Sequence, residues 1–387
     1  MTTSTSLRGL GRPTTVALVQ LSTYCWLLYA IGSITLLLRT EQGWSRALAG
    51  SHATAMAAGF ILAGAIMTRA LDAVGETALR SICMAGVALA LVGFGASHQP
   101  WLSLASAALG GTSGALLVNI LNPSLVRQHG PRAGSVLALI NAAGATVGSL
   151  APLMVGAAAA SRFGWRPLLW AVAVAALATI RSRPSDAAAA APAQAGAADP
   201  EHAASQPKFR LAVAALFAGL VVEFTTSIFA ADAVRTQTGL TTADAATAAS
   251  VFIIGFALSR WVATALVSRF NPARVMAVGY VVAGLGLALV AMATGAPWML
   301  AGLFLTGLGI GPSYPMMVTL ALRSAVSGSY RASARIGLGS GVVIAVAPFL
   351  LGALSDRVGL APLFLTLCGT AAVAALSVWR GFLYASH

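Results

Sequence analysis

PWLSLASAALGGTSG at residues 100–114 and PWMLAGLFLTGLGIG at residues 297–311 carry one pattern twice, a Pro-Trp pair followed at fixed spacing by glycines. The likeness extends outward at a nearly constant offset of 196 to 197 residues. Arg39-Thr40 matches Arg235-Thr236, Gly43 matches Gly239, and Gly59-Phe60 matches Gly255-Phe256. Gly110 and Gly114 fall on Gly307 and Gly311, Ala151-Pro152 on Ala347-Pro348, and Gly156 on Gly352. Any one match could be chance. Together they read as a duplication, two membrane bundles built alike, an arrangement that secondary transporters use to form one central site between halves.

The solvent of this chain is lipid. Of its 387 residues 58% are hydrophobic and 9% charged, and the mean hydropathy is +0.84, too little polar surface to cover a water-soluble globule. Crossing a hydrocarbon core of ~30 Å takes about 20 mostly apolar residues with every backbone group satisfied internally. The period-2 alternation of a barrel strand is absent, so the expected fold is an all-α membrane protein. Apolar runs predict twelve transmembrane helices in two pseudo-symmetric six-helix bundles, with spans near 14–38, 46–70, 78–97, 101–124, 133–158, 164–182, 209–231, 244–268, 272–294, 297–322, 332–355 and 360–383. The expected domains are an N-terminal bundle over 1–182 and a C-terminal bundle over 209–387. Between them the Ala- and Pro-rich stretch at 183–208 reads as a flexible cytoplasmic linker.

Basic residues set the expected orientation. With both termini and the linker cytoplasmic, that side holds sixteen Lys and Arg, against six (Arg39, Arg46, Arg162, Arg166, Arg235, Arg357) on the other. The positive-inside rule favours this topology, hence an integral inner-membrane protein with both termini in the cytoplasm. The net charge of +13 then belongs to short loops facing anionic lipid headgroups and calls for no nucleic-acid partner. The first apolar run is long enough to span and to be retained as the first helix. Cys25, Cys83 and Cys368 each fall in a predicted span without metal-ligand spacing and are expected to be free thiols.

Chemistry is sought among the ionisable groups that lipid would reject. Nine of the ten acids map to loops or helix ends; Glu223 alone lies deep. It follows Arg210 by thirteen residues, about 20 Å along a helix. Arg260 precedes Arg269 by nine, about 14 Å from the same side. A charge at such depth costs ~2.5–3.5 kcal/mol on insertion scales, so these groups face a cavity or each other. Two readings stay open: a structural ion pair, or a site where Arg260 binds an anionic substrate and Glu223 takes up a proton. In the second, an anion occupying Arg260 removes the compensation that kept Glu223 ionised, so that loading and protonation go together.

Weaker candidates for substrate binding are Tyr24 and Tyr29 with Trp26 on the first span, Asn119 and Asn122 on the fourth, Asn141 on the fifth and Tyr314 on the tenth, because phenols and amides in hydrocarbon need partners. His52, near the outer end of the second span, reads as interfacial. Most glycines read as helix-packing residues. Gly311-Pro312-Ser-Tyr314-Pro315 differs, since two prolines within about one turn break hydrogen bonding and make Gly311, Pro312 and Pro315 candidates for a gate hinge. An enzyme is disfavoured: Gly111-Thr-Ser113-Gly114 looks like an intramembrane serine-protease motif, but no later span supplies a His, and neither H-E-x-x-H nor a cluster of acids is present.

Twelve spans in a six-plus-six repeat, a long linker and the strings GALSDRVG (352–359), GSVLALINAAGATVGSLAPLMVG (134–156) and GLGIGPSYP (307–315) resemble the major facilitator superfamily over nearly the whole chain. The loop after the second span, Asp72-Ala-Val-Gly75-Glu76, keeps that family's Asp and Gly without its basic residues. Gly255-Phe-Ala-Leu-Ser-Arg260-Trp261 resembles the monocarboxylate and oxalate/formate carriers, a likeness that implies Arg260 as the anion-binding group. The lack of a Lys on the first and eleventh spans favours a monoanion or an amphiphilic acid over a dicarboxylate. Gly144-x3-Gly148-x2-Ala151-Pro152 is similar to the glycine-proline motif of drug/proton antiporters, which keeps a proton-driven exporter as the second reading. The expected function is proton-coupled symport of a small monocarboxylate-like anion by alternating access, with no cofactor, the proton gradient as energy source, and a monomer in membrane lipid as the working unit.

Overall fold

Run length alone forces a break in the longest helix. In the computed structural model, which describes residues 11–129, 133–181, 206–267, 269–324 and 329–384, α1 spans Arg12–Gln42 and α2 spans Arg46–Ala96. The 51 residues of α2 would reach about 75 Å at 1.5 Å per residue, more than twice the hydrocarbon thickness. The helix changes direction at Gly75, whose φ of 76° and ψ of 167° are not helical and lie where a residue with a Cβ is strained. The two arms are the second and third predicted spans.

The remaining elements are α3 Pro100–His129, α4 Ala133–Ala160, α5 Arg166–Ala178, α6 Gln206–Thr238, α7 Thr242–Ala248, α8 Ser250–Val267, α9 Pro272–Met292, α10 Ala296–Ile310, α11 Ser313–Arg323, α12 Ser329–Val358 and α13 Leu360–Val378. The eighth predicted span is the pair α7 and α8, and the tenth is α10 and α11, parted at Gly311-Pro312. Among the described residues, ten helices or helix pairs are long and apolar enough to cross a membrane. Counting both arms of α2 and the shorter apolar α5 gives the twelve crossings of an all-α fold. The linker expected at 183–208 lies, as far as residue 205, outside the described residues; α6 already begins at Gln206.

Two compact units are present. The first comprises residues 1–30 and 55–195 and centres on fully buried Leu27, Met56, Met84, Leu91 and Phe94. The second comprises 31–54 and 196–387, with Phe229, Phe252, Phe256, Tyr280 and Phe364 at its core. The turn between α1 and α2 therefore folds as part of the unit that holds α6 to α13.

The duplication is visible in the contacts themselves. A side chain at Gly111 would run into the Met56 carbonyl, and one at Gly307 into the Phe252 carbonyl. Gly59 lies against the Ala108 carbonyl and Thr112 amide, and Gly255 against the Phe304 carbonyl and Leu308 amide. Each of these pairs is related by a shift of 196. The structural equivalent of Gly307 is thus Gly111 rather than Gly110, which corrects the sequence alignment by one residue inside these helices. The Pro-Trp starts, with Trp101 and Trp298 both exposed, keep the shift of 197. Gly307→Val, which drives a branched side chain into the α8 backbone, is expected to cost about 1–3 kcal/mol by overpacking. Gly369→Val, where a Cβ meets nothing within 4 Å, serves as the control, and thermal unfolding in detergent compares the two.

Candidate functional site

One group of polar residues in the second unit lies around the middle of α6. Glu223 sits there, 8% exposed, and among the described residues its carboxyl is in no ion pair, unlike Asp232 of the same helix, which pairs with Arg39 and Arg46. One turn earlier, Gly219 leaves room for two hydroxyls from other helices. A Cβ at Gly219 would come within 3.0 Å of the Tyr280 phenol oxygen of α9 and 3.2 Å of Ser313 Oγ of α11. The Tyr280 hydroxyl donates to the Ala215 carbonyl at 2.9 Å. Arg260, Tyr280 and Tyr314 are all within electrostatic reach of Glu223.

Arg260 is held from two sides. Its guanidinium carbon lies 4.4 Å from the centre of the Phe256 ring one turn back on α8, a cation–π contact. Its Nε donates to the Gly311 carbonyl at 3.0 Å. The side chain is half-buried, and its terminal nitrogens have no hydrogen-bond partner among the described residues. Arg260 and Glu223 sense each other's charge without pairing, an arrangement that leaves a guanidinium fork for a ligand.

Of the other residues singled out from sequence, Tyr314 belongs to this cluster and is 40% exposed. Gly311 and Pro312 form the break between α10 and α11, and Pro315 stands in the first turn of α11. Tyr24, Tyr29, Asn119 and Asn141 belong to the first unit. There the Tyr24 ring packs against Gly114 and the Tyr29 ring against Gly148, while Trp26 Nε1 donates to Met154 Sδ at 3.4 Å. Asn119 and Asn141 are exposed and Asn122 half-buried. His52, read as interfacial, is fully buried, stacked 6.2 Å from Trp44. Arg80, at the start of the third predicted span and counted among the sixteen basic residues of one side, is 5% exposed and donates from Nη2 to Gln20 Oε1 at 2.8 Å.

Sequence reasoning missed Tyr280, Ser313 and Asp232. Tyr280 carried a readable signal, a lone phenol in an otherwise apolar span. Asp232 was placed at a helix end, but α6 runs on to Thr238, and the carboxylate is 3% exposed, bound by Arg39 and, at 2.6 Å, by Arg46 Nε.

This architecture recurs in solved transporters. The nucleoside transporter NupG matches with a TM-score of 0.72 at 16% identity, over 96% of this chain and 98% of that one. A bacterial homologue of the human lysosomal transporter Spinster, inward-facing and unoccupied, matches with a TM-score of 0.74 at 13% identity, over 96% and 95% of the two chains. The human organic anion transporter MFSD10 (TETRAN) matches with a TM-score of 0.63 at 14% identity, over 95% and 99%. Identities this low speak for the fold alone. No curated protein matches the sequence. The family pattern itself is found twice, over residues 16–210 and again over 211–387, once per copy of the duplication, and on that ground the chain belongs to the Major Facilitator Superfamily.

Proposed function

We propose that this protein moves a small organic monoanion together with a proton, Arg260 holding the anion and Glu223 the proton. That it is an integral membrane transporter of a small solute, and not an enzyme, follows from its family and fold. The single observation behind the finer reading is the state of Arg260: fixed through Nε and the ring of Phe256, with its terminal nitrogens left for a ligand.

Charge counting supports proton coupling. The empty site, with Arg260 cationic and Glu223 anionic, sums to zero. A bound monoanion makes it −1, and protonation of Glu223 restores zero. Both the empty and the loaded forms then avoid the cost of carrying net charge through a low-dielectric interior. A dianion would need a second cation. No comparison favours the monocarboxylate branch in particular, and the anion reading rests on Arg260 itself. An inner-membrane location, cytoplasmic termini and a monomeric working unit go with this proposal.

Proteoliposomes given an outside-acid gradient test it with labelled monocarboxylates, dicarboxylates, nucleosides and lipophilic cations. Acid-driven accumulation of a monocarboxylate is the expected result. Extrusion of a cation against proton entry would favour the exporter instead. Arg260→Ala removes charge-assisted hydrogen bonds of about 1.5–3 kcal/mol, so its half-saturation for the anion is expected to rise at least ~10-fold.

A further inference from the structure

An unsatisfied carbonyl explains how Arg260 is aimed. In a continuous helix the Gly311 carbonyl would accept the amide of residue 315 four positions on. Residue 315 is proline and has no N–H. The next bond of the ladder, from the Met316 amide to the Pro312 carbonyl, is made at 3.3 Å, so the loss is local to Gly311. Its carbonyl instead accepts from Arg260 Nε at 3.0 Å. The distance is short because α8 and the break touch: a side chain at Gly311 would run into the Phe256 carbonyl and the Ser259 hydroxyl. Every part of this arrangement lies in the second unit.

We infer that Pro315 is a specificity-determining positioning residue, because the carbonyl it leaves unpaired at Gly311 tethers Arg260 Nε and turns the terminal nitrogens toward the bound anion. The inference rests on the anion reading of Arg260 given above. Pro315 itself need not touch the substrate. Arginine is required at 260 because one guanidinium does both tasks, Nε toward the helix break and the outer pair toward the ligand. Lysine carries its three donors on one nitrogen, so it cannot hold the carbonyl with one nitrogen and present a separate pair to a carboxylate.

Pro315→Ala tests it by giving the Gly311 carbonyl a partner within its own helix. Two readouts are needed. In protein carrying ¹⁵N at arginine Nε, the Arg260 signal, assigned by its disappearance in Arg260→Lys, is expected to exchange with solvent at least ~10-fold faster once Pro315 is replaced, the scale set by losing a hydrogen bond to a charged group. Equilibrium binding of benzoate, the planar monoanion used as probe, is expected to weaken about 5–10-fold in Pro315→Ala and at least ~10-fold in Arg260→Lys, with no further loss when the two are combined. A merely structural proline would weaken the lysine background as well. Benzoate binding that is absent from the wild type, or equal in wild type and Arg260→Ala, overturns the anion reading and this inference with it. Binding lost in Arg260→Ala but unchanged in Pro315→Ala, or an unchanged Nε exchange rate, overturns the inference alone.

Discussion

Asp232→Ala is expected to be the most destabilising single change in the second unit, lowering its stability by about 3–5 kcal/mol and its unfolding temperature by on the order of 10 °C. The carboxylate is buried and accepts from two guanidinium groups, Arg39 through a terminal nitrogen and Arg46 through Nε at 2.6 Å. Truncation leaves both cations largely buried, with side chains 16% and 19% exposed, opposite an apolar methyl. The cost of an uncompensated charge exceeds whatever the pair contributed to folding. Asp356 provides the contrast. It also binds the start of α2, accepting the Arg46 and Ala47 amides at 2.9 Å each, but it is exposed, and Asp356→Ala should cost only about 1 kcal/mol, as helix caps do. Thermal unfolding of the two variants in one detergent decides the matter. An Asp232→Ala protein as stable as Asp356→Ala would mean that solvent already screens the buried cluster.

The two variants also separate what sequence reveals from what it hides. Crossing helices were legible because lipid imposes length: 51 continuous helical residues had to contain a break, and the glycine between Asp72 and Glu76 marked its place. The register of the duplication was legible to within one residue, the remaining residue being absorbed between the Pro-Trp starts and the glycines at 111 and 307. Position along the helix was legible as well, since counting from Arg210 is enough to put Glu223 near the middle of α6. Rotation about the helix axis was not. Arg80 and His52 were placed near helix ends and turn out to be buried. Each residue advances the helix face by about 100°, so an error of one position in phase moves a side chain from core to surface. The Arg260–Gly311 tether needed both the missing amide of Pro315, which is written in the sequence, and the contact between α8 and the α10–α11 break, which is not.

Glu223→Gln should abolish proton-driven accumulation while sparing exchange. A pH difference of about 2 units supplies ~2.7 kcal/mol per proton, enough to sustain about 100-fold accumulation of a monoanion moved one-to-one with it. Glutamine keeps the size of the side chain but carries no titratable proton. With Arg260 cationic, the variant's loaded site sums to zero and can still cross, whereas its empty site carries +1 and returns slowly. Exchange of labelled for unlabelled anion uses only loaded crossings and should persist near the wild-type rate, while net uptake at zero membrane potential falls toward a ratio of ~1, a change of about 100-fold. The split matters because a carboxylate whose charge served only to hold the surrounding structure would lose both activities together when replaced by the isosteric amide. Accumulation of about 100-fold in the variant would show that the proton rides elsewhere, and loss of exchange along with accumulation would return Glu223 to a structural role.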